Sequence, residues 1–285
     1  MKNMKEIKVK CPAKVNLTLE IVNRREDGFH NIKSIMQTIS LYDYLTIKAE
    51  KASETKITLA GTSDEIPYNE KNLVYKAVML FLENTGLNAD VDIFIEKNIP
   101  ISAGLAGGST NAAGTLWGLN EIFCSPLNRE ELHKLCSKLG SDLNVCLEGG
   151  TLLATSRGEI IEKVEGEINY PLTLIKPKTL GISAKEAYQK YAAKEFKPKY
   201  DMTEKMLDAI SKNSDIKEFL YNDLEYAVFD DYKELQMIKN KLPNSIMSGS
   251  GSTYFILDNV AKDLFDDSFQ VITNLSFVNL GVEEA

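Results

Sequence analysis

The sequence predicts an α+β fold, because strand and helix patterns mix without the strict βαβ alternation of a doubly wound sheet. Three observations carry that expectation. Apolar residues alternate with period 2 near the N-terminus, the mark of a strand. They recur at helical spacing after Asn72. A run of small residues, Pro100–Ala113, then joins a strand pattern to a helix pattern.

The elements follow in order. Ile7, Val9, Cys11, Ala13, Val15, Leu17, Leu19 and Ile21 alternate with Lys8, Lys10, Lys14, Asn16, Thr18 and Glu20. This predicts one strand over 7–21, with Lys14 and Asn16 together on the face away from the core. Pro12 predicts a bulge or edge. Arg24–His30 reads as a polar turn signalled by Asp27-Gly28. Ser34–Lys48 and Thr55–Ala60 read as strands, and Asn72–Glu83 as a helix ended by Gly86. Ala89, Val91, Ile93 and Ile95 predict a strand leading into the glycine-rich run. A helix follows, with Ala112, Leu116, Leu119 and Phe123 on its apolar side. Asn128 and Glu131 form a capping box for the next helix, which ends near Gly140. After Ser141-Asp142 come a short apolar run, Leu143–Leu147, and a turn at 148–150. In the second half, Pro171–Ile175, Ile246–Leu257 and Val271–Phe277 read as strands. Ala184–Ala192, Thr203–Ser211, Leu224–Phe229 and Tyr232–Leu242 read as helices. A junction falls within 158–170, giving domains 1–160 and 161–285.

The bulk composition narrows the function classes. A 285-residue chain with formal net charge −8 does not look like a general nucleic-acid binder, which would be basic. Cys11, Cys124, Cys136 and Cys146 lack C-x-x-C spacing, and only His30 and His133 are available, so a structural zinc site is not expected. No apolar run reaches the roughly 20 residues that span a bilayer, and residues 1–8 lack a signal-peptide core. The expectation is a cytoplasmic protein without membrane or nucleic-acid partners, taken as a monomer or weak homodimer.

Chemistry concentrates in the glycine-rich run. Glycine permits positive φ and close backbone approach, and a helix N-terminus offers unpaired N–H donors with a positive dipole end. The run therefore reads as an anion site. It lacks both the Gly-Lys-Ser/Thr ending of a Walker A loop and the spacing of a dinucleotide fingerprint. Ser248-Gly-Ser-Gly-Ser-Thr253 is a second glycine turn. Each feature also has a plainer reading taken singly. A glycine run makes a tight turn, Lys14 a solvated charge, Asp142 an N-cap, His30 an idle turn residue, Tyr188 a core ring.

The combined pattern resembles the GHMP family of small-molecule kinases over nearly the whole chain. The specific part is Pro12-Ala-Lys-Val-Asn-Leu17 with Asp27-Gly-Phe-His30. Asn72-Leu-Val74, the Pro100–Ala113 run and Leu139-Gly-Ser-Asp142 extend it. So do Arg157-Gly-Glu159, Asn222-Asp-Leu-Glu225 and Ser248-Gly-Ser-Gly251. The resemblance implies a two-domain kinase, with a ribosomal-S5-domain-2-like N-terminal half and a ferredoxin-like C-terminal α/β sandwich. It implies ATP in the cleft, with Mg²⁺ held mainly through the ATP phosphates. Lys14 and Asp142 match the catalytic pair. Asn16, Phe29, His30 and Tyr188 match the acceptor site, where Phe29 and Tyr188 would stack on a cytosine and His30 would bond its edge. Asn72 and Lys97 match positions near the adenine. Pro100, Gly104, Leu105, Ala106, Gly107, Gly108, Ser109 and Thr110 match the phosphate loop, with Gly249, Ser250 and Gly251 beside it.

Several positions depart from the family pattern. Ser102 and Ala106 replace glycines, Asn111 an Asp, and Asn144 and Ser252 prolines. Ala184 stands for Ser/Thr, and Phe29 for Tyr. Ala106 matters most, since a Cβ there disfavours positive φ. Two other functions stay open at this point: a kinase for a different alcohol, and a catalytically weak nucleotide-binding paralogue.

Overall fold

A computed structural model describes residues 4–194 and 201–285. The N-terminal alternation becomes β1 (Lys5–Asn16) and β2 (Thr18–Arg24), interrupted at Leu17. Both pair antiparallel with the 22-residue β3 (His30–Lys51), and the Arg24–His30 turn closes this long hairpin. The expected single strand breaks at Leu17 because its carbonyl leaves the hairpin to accept the amide of Tyr221. The register shifts between Pro12 and Ala13, as the proline led one to expect. Lys14 and Asn16 do share a face, but both are buried, because that face is covered rather than open to water.

The remaining first-half elements extend and cover this sheet. β4 (Lys56–Gly61) runs parallel to β5 (Ala89–Glu96), which pairs with β3. Between them lies α1 (Leu73–Thr85), capped by Asn72 and ended by Gly86 at φ 69°. α2 (Gly107–Ile122) and α3 (Arg129–Leu139) follow, α3 with the full capping box of Asn128 and Glu131. The apolar run after Asp142 folds as a short helix, α4 (Leu143–Glu148). Phe81 of α1 and Leu116 and Leu119 of α2 pack on Val9, Leu45 and Ile47, burying the apolar face of the sheet. β6 (Thr151–Ser156) and β7 (Ile160–Lys163), which the residue pattern did not reveal, add a hairpin beside β3.

The second half forms a separate four-stranded antiparallel sheet. Its first strand is β8 (Leu172–Pro177), followed by α5 (Ala184–Ala193) and α6 (Met202–Ser211). β9 (Tyr221–Asn222) crosses back to pair with β2, and α7 (Asp223–Val228) and α8 (Lys233–Lys241) follow. β10 (Ile246–Met247), β11 (Tyr254–Ile256) and β12 (Phe269–Leu275) complete the order β10-β11-β8-β12. The expected single strand over 246–257 is thus a hairpin. Gly249 and Gly251, at φ 53° and 86°, reverse the chain, and the Ser248 amide bonds the Thr253 carbonyl at 2.9 Å. β13 (Glu283–Glu284) then returns to the edge of β1.

The change of sheet falls between Lys163 and Leu172, and we keep a division into 1–160 and 161–285 as a proposal, with the tail crossing back. Leu19, Ile32 and Met36 from the first sheet share a core with Ile175, Leu224 and Tyr254 from the second half. Among the described residues no helix is long and apolar enough to cross a membrane.

Candidate active site

The glycine-rich run forms the turn between β5 and α2. Ser102, Gly104 and Ala106 all adopt left-handed backbone, at φ 50°, 73° and 59°. The two non-glycine residues keep the conformation a glycine would take, at a cost of order 1 kcal/mol each. Ala106 occupies the N-cap of the 16-residue α2 and makes no side-chain cap bond. The first amides of α2 therefore have no side-chain acceptor, which leaves an anion-binding end.

The second glycine turn packs directly on the first. The Gly104 carbonyl accepts Ser248 Oγ at 3.0 Å and Lys14 Nζ at 3.2 Å. A Cβ at Gly104 would overlap the Ser248 carbonyl oxygen. Asn222 holds this second turn in place. Its amide donates to the carbonyls of Met247 (2.7 Å) and Gly249 (2.8 Å), and its Oδ1 caps α7 by accepting the Leu224 amide. Glu225 accepts the Met247 amide at 2.9 Å and pairs with Lys239 at 3.1 Å. The quoted Asn222-Asp-Leu-Glu225 motif thus clamps the turn, a role its residue types did not disclose.

Lys14 and Asp142 meet at the end of this double turn. Lys14 Nζ lies 2.7 Å from Asn16 Oδ1 and 3.7 Å from Asp142 Oδ2. The Lys14 side chain is 3% exposed and that of Asp142 32%, so the pair is buried on one side and open on the other. Asn16 is oriented by donating to Ser34 Oγ at 2.9 Å, and Ser34 in turn donates to the Thr18 carbonyl. Asp142 precedes α4 without making a side-chain cap bond, which leaves its carboxylate available.

From that pair a cavity of about 650 Å³ runs to the Asp27–His30 turn. His30 stacks on Tyr188 with centroids 5.0 Å apart and meets Tyr191 edge-on. Burial, and then Arg24, push the His30 pKa below its ordinary 6.5, so the ring is neutral at pH 7. Burial raises the Tyr188 phenol, with Asp142 and Asp223 adding to the effect. Phe29 stays exposed, and its ring lies 5.2 Å from the Arg157 guanidinium. Tyr188 therefore faces His30 itself, and Phe29 faces Arg157.

The cavity walls gather Lys14, Asn16, Phe29, His30, Gly104, Ala106, Asp142, Tyr188, Gly249 and Ser250. They do not gather Asn72, Lys97, Pro100, Leu105, Gly107, Gly108, Ser109, Thr110 or Gly251. Asn72 uses its side chain to cap α1, and Lys97 pairs with Asp43 at 2.7 Å. Leu105 is buried and contributes a carbonyl to the Lys14 amide, and Thr110 is buried within α2. Arg24, Arg157 and Lys185 line the cavity and were not singled out from the sequence. Against the two wall carboxylates, Asp27 and Asp142, they and Lys14 make the cavity cationic in an acidic chain. Arg24 opens the Arg24–His30 turn and Arg157 the Arg157-Gly-Glu159 motif, while Lys185 had no signal beyond its place beside Ala184.

Most of the departures from the family pattern have structural partners. Asn111 donates to Asp43 Oδ2 at 3.0 Å, a bond that a carboxylate could not make. Asn144 ties α4 to Ser137 Oγ and the Glu159 carbonyl, and Ser252 donates to the Leu180 carbonyl. Ser183 caps α5, which frees Ala184 to line the cavity.

Residues 72–150 match the family described as GHMP kinases N terminal domain. Fold and matched segment together define the class, an ATP-dependent GHMP small-molecule kinase. The chain is 39% identical to 4-diphosphocytidyl-2-C-methyl-D-erythritol kinase of Prochlorococcus marinus (strain MIT 9301), over 95% of this chain and 91% of that one. It is 38% identical to the kinase of the same name from Bacillus licheniformis, over 86% of each. The crystal structure of a 4-(cytidine 5'-diphospho)-2C-methyl-D-erythritol kinase matches with TM-score 0.75 and 28% identity, covering 95% and 100% of the two chains. Homoserine kinase from Cytophaga hutchinsonii, at 17% identity, TM-score 0.77 and 100% and 99% coverage, shares the fold. The chain belongs to the 4-diphosphocytidyl-2-C-methyl-D-erythritol kinase family of GHMP kinases.

Proposed function

We propose that the chain transfers the γ-phosphoryl group of ATP to the 2-hydroxyl of 4-diphosphocytidyl-2-C-methyl-D-erythritol, in the non-mevalonate route to isoprenoid precursors. The observation that carries this reading is the Lys14–Asp142 pair, 3.7 Å apart, between an uncapped helix start and a cationic, aromatic-walled cavity. Phosphoryl transfer needs positioning and charge stabilisation above all. Asp142 accepts the hydroxyl proton as the oxygen bonds to the γ-phosphorus, and ADP leaves with the electrons of the broken P–O bond. Lys14, 3.7 Å from the Asp142 carboxylate, orients the attacking oxygen and offsets the charge that develops on it, while Asn16 fixes the ammonium. The α2 amides and the two glycine turns receive the triphosphate. Arg24, Arg157 and Lys185 complement the acceptor diphosphate, and Phe29, His30 and Tyr188 recognise its cytosine.

Among the described residues no group of three His, Cys, Asp or Glu could cage a metal. Mg²⁺ is assigned to the ATP phosphates, whose charge it would neutralise. We also retain a cytoplasmic location and a monomer or weak homodimer as parts of this reading.

The test is ADP release with the cytidylyl alcohol, homoserine or mevalonate as acceptor, with phosphorus NMR of the product. Turnover with the cytidylyl alcohol alone, giving a 2-phosphate ester, is expected. Equal turnover with another alcohol, or none with any acceptor, overturns the proposal.

A further inference from the structure

Beneath the phosphate loop lies a charged cluster outside the cavity. Asp43, on β3, has no exposed surface. Its Oδ1 accepts the amides of Asn98 at 2.7 Å and Ile99 at 2.8 Å, where β5 gives way to the loop. Its Oδ2 accepts Lys97 Nζ at 2.7 Å and Asn111 Nδ2 at 3.0 Å. Lys97 Nζ also donates to the Ile99 carbonyl at 2.5 Å. A Cβ on Gly107 would come within 2.8 Å of that ammonium. The ammonium is pinned and cannot swing aside, so it sits against the first residue of α2, and only glycine leaves it room.

Burial pushes the Lys97 pKa down, while the charge and hydrogen bond of Asp43 push it up. A buried amine without such a partner tends to lose its proton. Asp43 therefore holds Lys97 as its ion-pair partner against the first residue of α2, and the pair is neutral as a whole. Asn111 adds a donor without adding charge, so one carboxylate balances one ammonium.

We propose that Asp43 is a positioning residue for nucleotide binding. It holds Lys97 against Gly107 and the loop entry against α2, so that the α2 amides stand where the ATP phosphates bind. Lys97 thereby braces the entry of the phosphate loop, and Asp43 ties that entry to α2 through Asn111. The inference rests on the loop being the ATP site and is independent of which alcohol is the acceptor.

Calorimetric titration of the full chain with ATP and with adenosine tests it. Asp43→Asn weakens or reverses the acceptor that braces Lys97 and Asn111, so the loop loses its tie to α2; ATP should weaken about tenfold and adenosine stay within about twofold. The double variant Asp43→Asn/Asn111→Asp returns one carboxylate to the same ammonium and should recover ATP affinity to within about threefold of the wild type. If Asp43→Asn alone does not fold, Asp43→Asn/Lys97→Met removes both charges together and should show the same selective loss for ATP. Equal weakening of ATP and adenosine would mark a merely structural role and overturn the proposal. So would unchanged ATP affinity in a folded Asp43→Asn, or a folded double variant no tighter than the single one. Turnover with a different alcohol would sink the acceptor reading and leave these titrations unchanged. A wild-type chain that does not bind ATP would sink both.

Discussion

At the phosphate end of the cavity, Lys14 is 3% exposed and bonded to Asn16 and the Gly104 carbonyl, while Asn222 pins the neighbouring turn by two carbonyls. At the acceptor end, Phe29 is 54% exposed and the Arg25–Asp27 pair that shapes its turn lies in solvent. The first end is held by several bonds and buried on one side, the second shallow and exposed. Charges held rigidly in a buried site act most strongly on charge that develops during reaction. Exposed rings and long cations contribute binding area and adapt to a ligand. Damage at the phosphate end should accordingly appear in kcat, and damage at the acceptor end in KM.

The strongest challenge to that contrast is Asp142→Asn. It keeps the shape and removes the base, so kcat should fall at least about a hundredfold while ATP affinity changes by less than about twofold. Steady-state kinetics with parallel ATP titration decide it, and an unchanged kcat would take Asp142 out of the mechanism. His30→Ala comes next. Losing the ring stacked on Tyr188 should raise KM for the cytidylyl acceptor about tenfold and leave KM for ATP as it was. Equal loss for both substrates would erase the distinction between the two ends.

A third test concerns the support behind the acceptor wall. Asp223 accepts the Ile21 amide at 2.6 Å and the Tyr221 hydroxyl at 2.5 Å, and burial pushes its pKa from 3.8 to about 6. A raised carboxyl pKa means that the folded state holds the proton more tightly than the unfolded chain. Its contribution is full below the ordinary pKa and is lost as pH rises through about 6. Chemical denaturation should then show about 1 kcal/mol of extra stability at pH 5 relative to pH 7, absent in Asp223→Asn. Identical pH dependence in the two proteins would clear Asp223 as its source. The smallest effect is expected from Ala106→Gly, which relieves left-handed strain but loosens the unfolded chain. Stability should rise by about 0.5 kcal/mol with ATP affinity unchanged. A drop in the melting temperature would mean that the Ala106 methyl packs more favourably than its backbone is strained.

Local signals in the sequence were accurate where a single side chain settles the backbone. Asn72 and Gly86 bound α1, Asn128 and Glu131 open α3, and Pro12 marks the register shift. Signals failed where neighbours decide. The β6–β7 hairpin has only short apolar runs, since β3 covers one edge and the core one face. The stretch 246–257 kept a strand's composition, yet positive φ at Gly249 and Gly251 folds it back on itself. Leu143–Leu147 was too short for period to separate a buried helix from a strand.

The site divides the same way. Residue types alone singled out the glycine run as an anion site, whereas Lys14, His30 and Asp142 stood out only through the motifs that resemble the family. Only the folded chain brings Lys14 to Asp142, sets Gly104 against Ser248, and buries Asp43 and Lys97 beneath α2. Arg24, Arg157 and Lys185 became cavity residues by the same packing. Composition and spacing can specify which groups a chain carries. Their electrostatic effect depends on distance and burial, and those arise from contacts between segments far apart in sequence.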